Sequence, residues 1–338
     1  MVPLPHCTYL LPIRRAAFSA PEAAELAEYF RSLAHAGAEV LVVDGSPPEV
    51  FARHGEAWTD RCQHEPVDRR FGYLNDKVNG IHTGVEIARF ERIILADDDI
   101  RYTAEAVRGI SEKLESVEVV RPQNYLAPLT WWGRMEAARM LINRATLASG
   151  DYPGTCAFRR ETMLRVGHYD GDVLFDNEEI VRHFAGSGAT IDYALDLFVC
   201  KRPPTLRKWF EQRPRQAYED FGLRAKSALF FALPVLLFAA GVIFGWGGFG
   251  AALLAITASA ILLAQRGRAR GRARDFFPAS TILFAPLWVI ERSLSTYWAL
   301  GWYLFRGGYP FGDRLLTRGI GRDWHSGGRL AAAQVRGK

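Results

Sequence analysis

Asp97, Asp98 and Asp99 follow one another directly after the apolar run Ile93-Ile94-Leu95-Ala96. Like charges held together in a buried place are costly unless a cation or directed hydrogen bonds compensate them. At the carboxyl end of a strand they need not be buried, because that is the edge where open α/β sheets bind ligands. A hard divalent cation, Mg2+ or Mn2+, prefers carboxylate oxygens and shares its remaining positions with phosphate. The triplet therefore suits metal-assisted chemistry on a phosphorylated substrate. A solvated acidic turn is the plain alternative, and the surrounding elements decide between the two.

Cys7 to Ile13 is short, apolar and strand-like. Ser19-Ala20-Pro21-Glu22 has capping-box spacing with a proline in the first turn. Leu26, Phe30, Leu33 and Ala34 recur at helical spacing, and Gly37 can end that helix. Val40-Leu41-Val42-Val43 reads as a strand covered on both faces, stopping at Asp44-Gly45-Ser46. Val78, Ile81, Val85 and Ala88 mark a second amphipathic helix, and residues 93–96 and 117–120 read as further strands. The alternation predicts an α/β fold with a mainly parallel sheet and flanking helices. Asp44 and the acidic triplet then share one sheet edge. Farther along, residues 131–147 read as a helix, 154–158 as a turn and strand, and 174–184 as acids leading into a helix. Residues 191–199 read as a strand, and 206–221 as an amphipathic helix interrupted at Pro214.

The chain of 338 residues has room for more than this domain, which is expected to span 1–221. Residues 228–244 and 251–264 are apolar runs joined by the Gly-rich link 245–250, which predicts a transmembrane helical hairpin over 228–264. Arg266, Arg268, Arg270, Arg272 and Arg274 then form a basic loop, 265–275. Positive residues beside spans favour the cytoplasmic side and attract anionic head groups. Lacking interleaved aromatics, the run does not read as a nucleic-acid patch. Residues 276–305 form another apolar stretch, but it holds Glu291-Arg292 at its middle together with Pro278 and Pro286. Charge in a lipid core is expensive, so this stretch is expected to be interfacial or re-entrant rather than a third span, with Glu291 and Arg292 facing the first domain or head groups and the basic tail 306–338 cytoplasmic. Residues 1–13 lack a long apolar region, so no cleaved signal is expected. Cys7, Cys62, Cys156 and Cys200 show no CxxC spacing, which suits a reducing compartment without a structural zinc site. The expectation is a multi-pass cell-membrane protein with its first domain in the cytoplasm.

Taken together these features resemble the membrane-bound inverting glycosyltransferases of family 2, which have the GT-A fold; the likeness runs from about Tyr9 to Phe221. Its first strand end appears as Leu11-Pro12-Ile13-Arg14, and its second as Asp44 followed by Gly45-Ser46. Its Lys-x-x-Ala-Leu-Asn-x-Gly helix start keeps Lys77 and Gly84 but has Ile81-His82 in place of Leu-Asn. The DxD motif falls on Asp97 and Asp99. The acids that supply the catalytic base fall on Asp176-Asn177-Glu178-Glu179, with Arg182 after them. The QxxRW motif appears as Gln212-Arg213-Pro214-Arg215-Gln216, with Gln replacing Trp.

The resemblance implies a nucleotide-sugar donor, UDP- or GDP-linked, bound by Pro12, Arg14, Asp44, Ser46, Lys77, Asp97 and Asp98. It implies a metal held by Asp97 and Asp99, with Asp98 as a non-ligand. Asp176 is the expected base, with Glu178 and Glu179 as alternates. Gln212 and Arg215 are expected at the pyrophosphate and acceptor, and Trp131 and Trp132 at a sugar ring or in packing. The acceptor is expected to be lipid-linked or a glycan, since the site is tethered at a bilayer. Two rivals remain at this level. One is a membrane-anchored nucleotidyltransferase, which would share the sheet and the acids. The other is a non-catalytic membrane scaffold with a degenerate domain.

Overall fold

The computed structural model describes residues 6–151, 154–311 and 314–321. Most of the basic tail, with Arg322 and Arg329, lies outside the described residues.

Seven strands form one sheet in the order Gln63–Pro66, Glu39–Asp44, Thr8–Ile13, Arg92–Ala96, Thr155–Arg159, Val119–Val120, Ile191–Asp192. All neighbouring pairs are parallel except the two made by Thr155–Arg159, which runs against both of its neighbours. Ile13 registers with Asp44, and Leu10 with Leu95, so the residues after Ile13, Asp44 and Ala96 emerge at one edge. The antiparallel strand begins there as well, with Thr155 opposite Ala96.

One apolar cluster lies on each face. Leu26, Phe30, Val40, Val42, Trp58 and Ile94 are among the residues of one, and Leu10, Leu41, Val43, Val78, Ile81 and Val85 among those of the other. The helix Asp76–Ile87 approaches the central strand closely through its glycines. A Cβ on Gly80 would stand 2.8 Å from Pro12 Cβ, and one on Gly84 would overlap the Leu10 side chain. This closeness brings the start of that helix to the strand edge.

A second, three-stranded sheet pairs Phe198–Lys201 with Ile100–Arg101 and Gln123–Leu126. The single strand expected over 191–199 is thus two strands in different sheets, because the chain turns at Tyr193–Leu197 before pairing again. The helix Leu206–Glu219 is not interrupted at Pro214. Proline costs it one backbone donor, while Trp209, Arg213, Ala217 and Tyr218 are buried along its inner face. The helix Pro48–Ala57 and edge strand Gln63–Pro66 bury few apolar side chains and were not read from the sequence.

The apolar region is one long helical element, Arg224–Ala269, broken at Gly245, where φ is +64°. Only glycine adopts this backbone conformation without strain. The break, not a six-residue link, turns the chain back on itself, since a Cβ on Gly241 would come within 3.6 Å of Phe249 Cβ. Phe230 of one arm and Ala260 and Ala264 of the other join the same cluster with Trp288. By length and composition this element is long and apolar enough to cross a membrane, and among the described residues no other helix is. The expected third stretch is instead divided between the short helix Ala273–Phe276, a 3-10 turn at Ala279–Phe284 and the helix Ala285–Arg306.

The arginine run is also not wholly free. Arg268 Nε donates to Phe277 O at 2.6 Å, and Arg270 donates to the carbonyls of Arg144, Leu147 and Ala148. Arg270 therefore ties down the C-terminal end of the helix Trp131–Thr146, where a cation is favoured.

Candidate active site

A cavity of about 930 Å³ opens at the sheet edge defined by Ile13, Asp44 and Ala96. Pro12, Arg14, Lys77, Asp97, Asp98, Asp99, Asp176, Gln212 and Arg215 all line it. Residues from five separate stretches of chain thus meet where the topology directs them.

The three acids are each matched to a different base. Lys77 Nζ stands 2.5 Å from Asp97 Oδ1 and 2.7 Å from Asp176 Oδ2, and donates to Asn177 Oδ1 at 2.8 Å. Burial pulls the Lys77 ammonium down, but Asp176 and Asp97 beside it prevail and hold its pKa above the ordinary value. Asp98 pairs with Arg15, and despite burial this pairing, with Lys208 and Lys201 nearby, keeps its carboxyl below the usual range. Asp99 Oδ2 lies 3.2 Å from Lys201 Nζ. Burial and the charges of Asp97 and Asp98 outweigh that lysine and raise the Asp99 pKa. Its other oxygen, Oδ1, is buried without a hydrogen-bond partner.

Helix starts position these groups. Asn75 caps the helix Asp76–Ile87 by accepting from Lys77 N at 3.2 Å. Its amide donates to Val173 O at 3.3 Å and to Asp176 Oδ1 at 3.4 Å. One residue therefore sets both Lys77 and Asp176. Asn177 Nδ2 donates to Asp97 Oδ2 at 3.3 Å, closing the ring between the acidic strand end and the helix Asp176–Gly186.

Other expected site residues stand elsewhere. Asp44 is fully buried behind the cavity, not in it. Its carboxylate receives His54 Nδ1 at 2.7 Å, His64 Nε2 at 3.1 Å and Ser46 N at 2.8 Å. Burial opposes ionisation, yet the bonds from His64, Ser46 and His54 hold its pKa at about 2. Buried and absent from the cavity lining, it instead fixes the turn in which Ser46 Oγ accepts from Arg15 N at 2.8 Å. Glu178 points away from the cavity and lies 3.6 Å from Arg121. Glu179 accepts from Gly321 N and pairs with Arg182. Trp132 Nε1 donates to Pro204 O at 2.8 Å, and Trp131 packs edge-on against Trp209; neither lines the cavity.

The cavity also has residues that sequence reasoning missed: Arg15, Glu136, Arg139, Lys201 and Lys226. Arg292 also lines it and donates to Asp220 Oδ2 at 3.2 Å and Gln216 Oε1 at 2.8 Å, so the charge in the middle of the third apolar stretch faces the first domain, one of the two placements expected for it. Lys201 carried a usable signal, standing at the end of a short β-branched and apolar segment as Asp44 does. Arg15 comes from the loop after the first strand, and the others from helix faces whose direction depends on packing.

Among the described residues no three His, Cys, Asp or Glu side chains form a ready-made metal cage. The chemistry of the site nevertheless fits a hard divalent cation. Asp99 offers a buried, unpartnered oxygen and Asp97 stands beside it. Mg2+ commonly uses only one or two protein carboxylates and completes its shell with water and phosphate.

No protein-family model and no curated protein matches the sequence. Among solved structures, a mannosyltransferase from Pyrobaculum calidifontis, in complex with GDP-Man and Mn2+, superimposes with a TM-score of 0.50. It is 20% identical, and the match covers 88% of each chain. Mannosyl-3-phosphoglycerate synthase from Rubrobacter xylanophilus gives 0.42 at 14% identity, over 62% of this chain and 71% of that one. Glucosyl-3-phosphoglycerate synthase from Mycobacterium tuberculosis, in complex with Mn2+ and UDP, gives 0.39 at 12% identity, over 60% and 74%. These neighbours are nucleotide-diphospho-sugar glycosyltransferases. The likeness of fold rests on the first of them, and it is the GT-A-like arrangement of a mainly parallel sheet with flanking helices.

Proposed function

We propose that the chain is a glycosyltransferase of the family 2 type, transferring a sugar with inversion from a UDP- or GDP-sugar to a lipid-linked or glycan acceptor. The observation that carries this reading is the Lys77 ammonium, which joins Asp97 of the acidic strand end to Asp176 in one cavity. Metal-bound donor and acceptor must meet in such a place.

Asp97 and Asp99 would hold Mg2+ or Mn2+, which, when bound, supplies charge stabilisation to a departing diphosphate. Pro12 and Arg14 form the neighbouring cavity wall, on the side assigned to the donor. Asp98, itself in the cavity wall, and Ser46 behind it hold Arg15. Asp176 takes the proton from the attacking hydroxyl, and a base facing the side opposite the leaving group gives inversion in one displacement. Lys77 holds this carboxylate in place between turnovers. Gln212 and Arg215 line the wall toward the apolar helices, where pyrophosphate or acceptor would be gripped.

That wall supports the choice of acceptor. Lys226 at the base of the hairpin and Arg292 in the helix Ala285–Arg306 reach the cavity. The outer faces of the same elements expose Phe238, Ile243, Phe244, Trp246, Leu294, Trp298 and Phe305. Contiguous exposed apolar surface of this kind fits lipid. In this reading the hairpin enters the bilayer from the cytoplasmic side and the cavity opens at its surface.

The test is to incubate the full chain in detergent micelles with Mn2+ and a panel of UDP- and GDP-sugars. Metal-dependent release of free nucleoside diphosphate is expected with one of them. Release of pyrophosphate would indicate a nucleotidyltransferase, and absence of both turnover and nucleotide binding would leave a scaffold.

A further inference from the structure

After its last long helix the chain returns to the catalytic domain. Strands Tyr309–Phe311 and Arg314–Leu316 pair antiparallel, and residues 317–321 then run beside the loop that leads into Asp176. Leu174 N donates to Arg318 O at 3.0 Å, and Phe175 N donates to Gly319 O at 2.9 Å. Asp176 is the next residue. One turn into the same helix, Glu179 Oε2 accepts from Gly321 N at 2.8 Å. Arg318 Nη1 lies 2.6 Å from Asp170 Oδ2, at the start of the loop, and the Tyr218 hydroxyl donates to Thr317 O at 3.1 Å.

The seat is tight. A Cβ on Gly319 would lie 2.9 Å from Glu219 O, and one on Gly321 would overlap the Glu179 carboxylate. Ile320 is buried over Gly222, where a Cβ would stand 2.5 Å from its side chain. Residues 170–175 have no regular secondary structure of their own, and Phe175 begins the following helix without a side-chain cap. Such a loop keeps one conformation only if outside contacts offset the backbone entropy lost in ordering it. Asn75 supplies contacts from one side, and residues 317–321 supply them from the other.

The geometry points to Thr317–Gly321 as a positioning segment for Asp176, with Glu179 as its anchor and not a proton acceptor. This rests on the role proposed above for Asp176. The segment comes from beyond the apolar helices, so the placement of the base depends on chain that a catalytic domain ending near residue 221 would lack.

The test compares Glu179→Ala, Glu179→Gln, Gly321→Val and Arg318→Ala in the full chain, with Asp176→Asn as the reference. It measures kcat, donor KM and the affinity for GDP or UDP with Mn2+. Misplacing a reacting group by about 1 Å can cost about 10²-fold. Glu179→Ala and Gly321→Val should therefore lower kcat by roughly tenfold or more while nucleotide affinity stays within about twofold. Glu179→Gln keeps an oxygen for Gly321 N and should restore most of kcat. Arg318→Ala, at a partly exposed position, should fall in the same direction and checks against a folding defect at the buried glycine.

Parental kcat in Glu179→Ala, Gly321→Val and Arg318→Ala, with Asp176→Asn inactive, would overturn the inference alone. So would a Glu179→Gln variant as impaired as Glu179→Ala, which would make Glu179 itself the base. An equal fall in kcat and nucleotide affinity would also overturn it, by showing general damage. An active Asp176→Asn would remove the proposed base and this inference with it.

Discussion

Gly154 stands immediately before the antiparallel strand, and a Cβ added there would lie 2.5 Å from Asp97 Oδ2. Carbon and oxygen do not rest so close, so in Gly154→Ala the carboxylate must move by something approaching 1 Å. It can do so cheaply, since the obstacle is the tip of a side chain and not backbone. Its first loss is the 3.3 Å bond from Asn177, and its second is the 2.5 Å contact with Lys77. A displacement of that size at a reacting centre can cost about 10²-fold in rate, close to 2.7 kcal/mol of barrier. Folding should behave differently. Removing a glycine can stabilise by about 0.4–1 kcal/mol through the unfolded chain where the backbone accepts a side chain. The expected outcome is a kcat/KM for the donor reduced about a hundredfold, beside a melting temperature equal to or above the parent's. Nucleoside diphosphate release and thermal unfolding, measured on one preparation, check both halves. Parental turnover would refute the placement of Asp97 at the reacting centre. A fall in activity that tracks a fall in melting temperature would refute the separation of site from scaffold.

Asp176→Asn should lower kcat by about 10²–10⁴-fold, the usual cost of losing a general base, while GDP or UDP affinity measured by titration is kept. Asp99→Asn should abolish Mn2+-dependent nucleotide binding without lowering the melting temperature appreciably, because the carboxylate it removes has a buried oxygen with no partner. The Asp44 pKa is held at about 2, below its ordinary 3.8; this corresponds to roughly 2 kcal/mol of stability, present above pH 4 and lost as pH falls through about 2. Asp44→Asn should therefore be less stable than the parent at pH 7 by about that amount, with a gap in denaturant unfolding that closes toward pH 2. Trp246→Glu, at the exposed turn of the hairpin, should weaken co-flotation with anionic liposomes; unchanged flotation would take the hairpin out of the bilayer.

The legible parts of the fold were those in which local pattern and topology agree. Residues 40–43 and 93–96 read as buried strands because they are continuously apolar, and the acids after them reached a common edge because parallel strands end together. Asp44 shows the limit. Its place at the strand end was readable, but its burial was not, because His54 and His64 arrive from a helix and an edge strand that bury few apolar side chains. The carboxylates around the candidate base divide for a related reason. Asp176 and Glu178 are two residues apart on a helix and so point in nearly opposite directions, which local geometry could have told. Glu179 is turned back toward the Asp176 side, and only a segment more than a hundred residues away removes it from consideration. The arginine run read as one basic loop beside head groups because nothing local distinguishes Arg270, which holds three carbonyls, from its neighbours.

The same division explains why the acids were visible and their partners were not. Asp97, Asp98 and Asp99 are consecutive, whereas Lys77, Arg15 and Lys201 come from a helix start, a loop and a strand of the second sheet. Three carboxylates at one strand end are tolerable in the folded chain because the topology delivers one cation to each. A divalent ion on Asp97 and Asp99 would take over the role of Lys77 and Lys201 toward those oxygens. The two ammonium groups would then be free to face the diphosphate arriving with the ion. Such an exchange keeps charge balanced in both states, which is the condition a buried polar site must meet to fold without substrate and still bind it.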